Sequence, residues 1–267
     1  MVIGRVSMSW LILRLGFMSR KLRIIWLGLL SLASLTLHAA PLQVAVASNF
    51  MGPMNAVASV FERDTGHKLQ LSFGATGQFY AQIRNGAPFA ILLAADKETP
   101  LKLAREGLAV EATAFTYAKG RLVLWSKRAN FVDNDGAILK SESFTRLAIA
   151  NPKLAPYGAA ALETLTKLGL RDRIARKIVE AANIAQSFQF VASENATLGF
   201  VAMSQVYERG KLKEGSAWLV PTSFHSPINQ DAILLNPGKD QPAALALLNF
   251  LKTDKAKTMI RSFGYDL

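Results

Sequence analysis

Short apolar runs alternate with helical patterns along most of the chain after residue 41. Several of the runs are apolar at every position, which is typical of strands buried on both faces of a parallel sheet. The pattern predicts strands at residues 42–47, 68–73, 90–94, 121–125, 146–150, 198–202, 217–220 and 232–235. The segments between them predict helices, so the chain is assigned to the α/β class.

The predicted helices have readable ends. Pro53 begins a segment with its apolar residues on one helical face, and Gly66 ends it. The C-terminal part predicts two helices on either side of Thr253–Asp254. Alternating strands and helices favour a doubly wound architecture with right-handed crossovers. The sequence has no internal repeat and no Gly/Ser linker, so two lobes would be joined by crossing strands.

Four of the predicted turns after strands carry small or neutral polar residues and no Lys or Arg. They are Ser48-Asn49-Phe50, Gly74-Ala75-Thr76-Gly77-Gln78, Pro156-Tyr157-Gly158 and Asn183-Ile184-Ala185-Gln186. Each stands at a predicted helix start, where unpaired backbone N–H groups and the helix dipole attract anions. Ligands of open parallel sheets bind beyond the carboxyl ends of the strands. The four turns together therefore predict a neutral site for a fully ionised anion, although any single turn could be an ordinary helix cap.

The first forty residues predict export from the cytoplasm. Arg20, Lys21 and Arg23 precede an apolar run over 24–37, and Ala39 and Ala40 follow. A basic head, an apolar middle and small residues at the cut are the features of a secretory signal peptide. We therefore assign 1–40 as a signal peptide, with Met18 as an alternative start. The run is shorter than the roughly 20 residues of a spanning helix, which weighs against the alternative of a permanent anchor.

Charge and composition narrow the function further. The net charge is +12, but five basic residues and no acids precede Pro41, so 26 Lys and Arg against 19 Asp and Glu leave +7 for the rest. These charges are scattered, so nucleic-acid binding is not expected. The absence of cysteine excludes disulfides and thiolate chemistry. His67 and His225 are far apart, and there is no G-x-S-x-G, P-loop or H-E-x-x-H motif, so we do not expect an enzyme.

Five segments carry a family resemblance. They are AVASNF, LSFGATGQFYAQIRNGAPFAILLAAD, IANPKLAPYGAAALETLTKLGL, ANIAQSFQFVASENATLGFVAMSQV and the FGY ending. From about Gln43 through Tyr265 the chain resembles the periplasmic molybdate-binding proteins of bacterial ABC transporters. The arrangement at Gly86–Asp96 is the most specific of these matches.

The resemblance implies a two-lobed periplasmic-binding-protein-like fold, in which each lobe is a doubly wound, mainly parallel sheet flanked by helices. Lobe one would consist of 41–119 and 231–267, and lobe two of 120–230. Two crossing segments would join the lobes. The implied protein is a periplasmic monomer that binds molybdate or tungstate between its lobes, closes around it by a hinge motion and delivers it to the permease and ATPase of a transporter. No cofactor is implied. The alternatives are a receptor for another tetrahedral oxyanion such as sulfate, or an enzyme or sensor on the same fold.

The resemblance also implies which residues hold the anion. By alignment they are Ser48, Asn49, Thr76, Tyr157 and Ile184, which would contact only the oxygens of the oxyanion. Tyr157 and Ile184 would donate backbone N–H groups, so the phenol of Tyr157 is not expected to contribute. The chain departs from the family at Ala202, where some members have a tyrosine donor. Asn49 is the expected substitute for that donor.

Overall fold

The computed structural model describes residues 40–267, so the predicted signal peptide lies outside the described residues except for Ala40. The strands are β1 (Leu42–Ala47), β2 (Leu69–Gly74), β3 (Ile91–Leu93), β4 (Ala109–Gly120), β5 (Leu122–Ser126), β6 (Leu147–Ala150), β7 (Ile178–Ala181), β8 (Leu198–Ala202), β9 (Tyr207–Glu208), β10 (Lys211–Leu212), β11 (Ser216–Leu219) and β12 (Ile228–Leu235). The helices are α1 (Met51–Thr65), α2 (Thr76–Arg84), α3 (Glu98–Arg105), α4 (Pro156–Lys167), α5 (Arg171–Ile174), α6 (Ile184–Ala192), α7 (Met203–Val206), α8 (Pro242–Leu251) and α9 (Asp254–Ser262). None of these helices is long and apolar enough to cross a membrane.

The helix ends follow the sequence signals. α1 ends at Gly66, which adopts the left-handed conformation (φ 75°) that glycine accepts without strain. Thr253 caps α9, because its side chain accepts a hydrogen bond from the amide of Ala256. The predicted pair of C-terminal helices is therefore confirmed. A short 3₁₀ turn over Ser48–Phe50 joins β1 to α1.

The strands form two five-stranded sheets and one small hairpin. The first sheet has the order β2-β1-β3-β12-β4, and the second has the order β11-β5-β8-β6-β7. Helices flank both sheets, so the predicted two-lobed α/β architecture is confirmed. β9 and β10 pair separately as an antiparallel hairpin.

Each sheet is half parallel and half antiparallel, which is more mixed than the sequence pattern predicted. In the first sheet β1 pairs in parallel with β2 and β3, whereas β12 pairs antiparallel with β3 and β4. In the second sheet β6 pairs in parallel with β7 and β8, whereas β5 pairs antiparallel with β8 and β11. The parallel parts matter for the site, because they bring the carboxyl ends of neighbouring strands to one edge.

The chain passes between the sheets at two adjacent places. β4 of the first sheet ends at Gly120 and β5 of the second begins at Leu122. The return runs from β11 of the second sheet into β12, whose first residue Ile228 pairs with Gly120. Separate apolar cores lie on either side, with Phe50 and Phe61 buried in one and Phe144 and Phe200 in the other. The lobe boundaries at 41–119, 120–230 and 231–267 stay predictions.

Candidate functional site

Four helix starts meet between the two sheets. The 3₁₀ turn before α1 follows β1, and α2 follows β2, its parallel neighbour. In the second sheet α4 follows β6, and α6 follows β7, again a parallel neighbour. The carboxyl ends of these two strand pairs face one small cavity.

All five residues predicted for the site line this cavity. The lining consists of Ala47, Ser48, Asn49, Gly74, Ala75, Thr76, Ala95, Ala155, Pro156, Tyr157 and Ile184. Its volume of about 10 Å³ is about that needed for one water molecule. In this closed arrangement the cavity therefore has no room for a sugar or a peptide.

The hydroxyl groups of Ser48 and Thr76 are held as hydrogen-bond donors. Thr76 Oγ1 accepts from the amide of Ala95 at 3.0 Å, and Ser48 Oγ accepts from the amide of Ala185 at 3.4 Å. Both residues are almost fully buried. Among the described residues neither hydroxyl proton has an acceptor. A hydroxyl that accepts a hydrogen bond still has its own proton, which can rotate toward a partner, so each of these can donate to an anion in the cavity.

The amides of Tyr157 and Ile184 are the matching donors from the second sheet. Each lies in the first turn of its helix, where backbone N–H groups have no carbonyl of the same helix to bond. Within residues 40–267 neither amide donates to a carbonyl or a side chain. Both residues line the cavity and are about as buried as the two hydroxyls. Backbone amides at helix starts bind anions without any cationic side chain.

Gly158 lets the start of α4 approach the cavity. A Cβ at this position would collide with the carbonyl oxygen of Ala150 at the end of β6. Only glycine therefore allows α4 to begin this close to the strand, and the amide of Tyr157 is set next to the cavity by that approach. The sequence places Gly158 in a turn but carries no sign of this role.

Asn49 lines the cavity, and its side chain bonds to other residues of the protein. Its Nδ2 atom donates to Gln230 Oε1 at 2.7 Å and to the Tyr265 hydroxyl at 3.0 Å, which uses both amide hydrogens. The backbone carbonyl of Asn49 accepts a hydrogen bond from Ser204 Oγ at 2.8 Å. Both Nδ2 hydrogens of Asn49 are therefore engaged within the protein in this geometry, and its part as the substitute for the family's tyrosine donor stays a prediction. Ala202 itself is buried at the start of α7 and does not line the cavity.

The cavity carries no formal charge. None of its described lining residues is acidic or basic. Asp96, the nearest acid along the chain, directs its carboxylate to the amide of Thr99 at 2.7 Å, and burial raises the pKa of this carboxyl. Across residues 40–267 there is no group of three or more His, Asp or Glu that could hold a metal cation. The site offers neutral donors, which suits a fully ionised oxyanion and disfavours a protonated one, whose O–H would lack an acceptor.

The two sides of the cleft touch directly beside the cavity. The amide of Gly77, in the first turn of α2, donates to the carbonyl of Leu154 at 2.9 Å. Ser204 on the second sheet's side reaches the carbonyl of Asn49 on the first, and the amide of Ala185 reaches Ser48. The cleft is therefore closed in this structure. Gly77 and Ala185 lie in two of the predicted turns, but the sequence gave no role to their amides or to that of Ala95, because backbone groups leave little trace in side-chain identity.

Nearly the whole described region matches a known family. The model of the family described as "Bacterial extracellular solute-binding protein" matches residues 42–266. The match includes every residue of the candidate site and leaves out only residues 1–41 and the last residue of the chain.

Individual relatives are similar over nearly their full length. The chain is 57% identical to the molybdate-binding protein ModA of Azotobacter vinelandii, covering 90% of this chain and 94% of the relative. It is 48% identical to ModA of Rhodobacter capsulatus, covering 83% and 86%. The solved structure of the Azotobacter vinelandii periplasmic molybdate-binding protein aligns with a TM-score of 0.82 and 39% identity, over 85% of this chain and 99% of that one.

Proposed function

The chain belongs to the bacterial extracellular solute-binding proteins, and within that family to the molybdate-binding proteins; from this premise we propose that it captures molybdate or tungstate for an ABC transporter. Three observations support the proposal. The site is a small cavity at four helix starts, its side-chain and backbone groups are neutral donors, and relatives that are 57% and 48% identical are molybdate-binding proteins.

The observation that carries the proposal is the donor-only character of the cavity. The Ser48 and Thr76 hydroxyls each accept from a backbone amide and keep one proton to give, and the amides of Tyr157 and Ile184 have no other acceptor among the described residues. We place the anion among these four groups, with the backbone beside Asn49 completing the first-sheet side. The molybdenum or tungsten atom would be reached only through its oxygens.

Closure follows from the position of these donors. Ser48 and Thr76 follow strands of the first sheet, while Tyr157 and Ile184 follow strands of the second. An anion that bonds to all four holds the sheets together and therefore binds the closed form more tightly than an open one. Size selection would arise because backbone donors are fixed by the helices: a smaller anion such as sulfate leaves some donors out of reach.

The finer features of the proposal concern location and partners. We propose export through the signal at 1–40, action in the periplasm as a monomer, and delivery of the anion to a membrane permease driven by an ATPase. We propose no catalytic role and no nucleic-acid binding. The scattered charges and the lack of a charged group around the cavity support this reading.

Calorimetric titration of the purified chain from residue 41 onward tests the function. We expect saturable heat with molybdate and with tungstate at one site per chain, and much weaker binding of sulfate. Sulfate heat without molybdate heat would favour a sulfate receptor instead. Phosphate, which carries a proton near neutral pH, should bind worse than either dianion because the cavity offers that proton no acceptor.

A further inference from the structure

A fully buried glutamine joins the two sides of the cleft directly behind the cavity. Gln230 lies on β12 of the first sheet and has no exposed surface. Its Oε1 atom accepts from Asn49 Nδ2 at 2.7 Å, and its Nε2 atom donates to the hydroxyl of Tyr157 at 3.3 Å. Asn49 and Tyr157 both line the cavity, one from each side. One side chain therefore connects a cavity residue that follows β1 with a cavity residue that begins α4.

The phenol of Tyr157 reaches this glutamine at the point where the chain crosses between the sheets. A Cβ at Gly120, the last residue of β4, would collide with the Tyr157 hydroxyl and lie 2.7 Å from Gln230 Nε2. The glycine leaves the space into which the phenol inserts. Ile228, two residues before Gln230, pairs with Gly120. The contact between Gln230 and Tyr157 thus lies beside the crossing about which the two sheets would move in a hinge motion.

The network around the contact is uncharged. Tyr117 on β4 donates to the same Gln230 Oε1 at 3.1 Å, and Tyr265 contacts Asn49. Burial raises the pKa of both the Tyr117 and the Tyr157 phenols, so each remains a neutral hydrogen-bonding group. Buried polar groups are costly when they lose a partner. Parting the sheets at the hinge would remove the partner of Gln230 Nε2 and let water replace it.

We propose that Gln230 and the phenol of Tyr157 form a closure latch, so that Tyr157 serves the site twice. Its backbone amide faces the anion, and its hydroxyl fastens the second sheet to the hinge strand of the first. This inference rests on the proposed function and adds two positioning residues to it. The latch stabilises the closed, anion-bound form and leaves the separated form unaffected, so it acts on affinity through closure and makes no contact with the anion.

Two phenol deletions on the same glutamine separate a latch from a merely structural role. Tyr157→Phe removes the Gln230–Tyr157 hydrogen bond between the sheets. Tyr117→Phe removes the hydrogen bonds to the same Gln230 and to the carbonyl of Ala94, both on the side of the first sheet. The measurements are the Kd for molybdate by calorimetry and the thermal midpoint of the anion-free protein, each for the chain from residue 41 onward.

The latch predicts opposite patterns for the two variants. Tyr157→Phe should weaken molybdate binding about three- to tenfold, the worth of one net hydrogen bond, with the anion-free midpoint close to wild type. Tyr117→Phe should lower the anion-free midpoint and leave Kd within about twofold.

Three outcomes would overturn the inference. Unchanged affinity in Tyr157→Phe would show that the phenol does not act on closure. Equal loss of affinity in both variants would assign the effect to the network as a whole. A fall of the anion-free midpoint in Tyr157→Phe without weaker binding would make the contact structural. Failure of the wild-type protein to bind molybdate is a separate result that removes the proposed function itself.

Discussion

At the scale of single residues, the site is defined by which hydrogen-bond roles are already filled. Thr76 Oγ1 accepts from Ala95, and Asn49 Nδ2 has given both of its hydrogens to Gln230 and Tyr265. The two side chains line the same cavity, but only the hydroxyl has a proton left. The polarity of a residue therefore says less about anion binding than the bonds it makes to the rest of the protein.

Replacing the hydroxyl of Thr76 tests this assignment. Thr76→Val keeps the shape but removes the donor, so anion binding should weaken by about 1–3 kcal/mol, the cost of leaving a buried acceptor unpaired. Calorimetric Kd values for molybdate measure the effect. Thr76→Ser retains the hydroxyl and is the matched control, with affinity near wild type. Equal affinity of the valine variant and wild type would remove Thr76 from the site.

Much of the site could be predicted from residue types, and the rest could not for a physical reason. The positions of Ser48, Thr76, Tyr157 and Ile184 at helix starts follow from strand and turn patterns, and the structure brings all four to one cavity. The partners of the Asn49 side chain lie 181 and 216 residues away along the chain. Such long-range contacts leave no local signal, so the sequence could not show which partners the Asn49 side chain bonds.

At the scale of elements, the strands that the sequence pattern missed are the partly exposed ones. β4 contains Glu111 and Lys119, most of its residues are half-buried or exposed, and its pairing with β12 is interrupted at two places. An irregular, partly exposed strand shows neither a continuous apolar run nor a strict alternation of apolar and polar residues in its sequence. The edge strand β7 was missed as well, with the polar Glu180 in its four residues. Strands buried on both faces, such as β1 and β8, were placed at their observed bounds.

The start of α2 provides a test of closure. A Cβ at Gly77 would lie 3.0 Å from Leu154 Cα across the cleft, closer than an ordinary contact. Gly77→Ala should therefore weaken molybdate binding by about 1 kcal/mol, roughly fivefold, because only the closed form is overpacked. The melting temperature of the anion-free protein should not fall. Calorimetry and thermal denaturation measure the two quantities.

Gly52 gives the matched control for this test. A Cβ at Gly52 would lie 3.3 Å from the ring of Phe263, a similar crowding, but both residues flank the first sheet. Gly52→Ala should leave the affinity for molybdate unchanged. If Gly77→Ala binds as wild type does, or if Gly52→Ala loses as much affinity, then the Gly77–Leu154 contact has no special part in closure.

At the scale of the whole molecule, two mixed sheets place four neutral helix starts against one cavity. The parallel pairs β1–β2 and β6–β7 direct their carboxyl ends to the cleft, while the antiparallel strands β4, β5 and β12 carry the crossings. Binding and hinge are therefore built from different parts of the same sheets. Gln230 lies on the crossing strand β12 and bonds to Asn49 and Tyr157, which line the cavity. We therefore locate the latch at Gln230.

Anomalous diffraction from crystals grown with tungstate would show whether neutral groups at these four helix starts hold an oxyanion. We expect one strong tungsten peak in the cavity, with oxygens about 2.7–3.2 Å from the hydroxyls of Ser48 and Thr76 and the amides of Tyr157 and Ile184. A tungsten peak elsewhere in the cleft, or one contacted by a Lys or Arg side chain, would contradict this expectation.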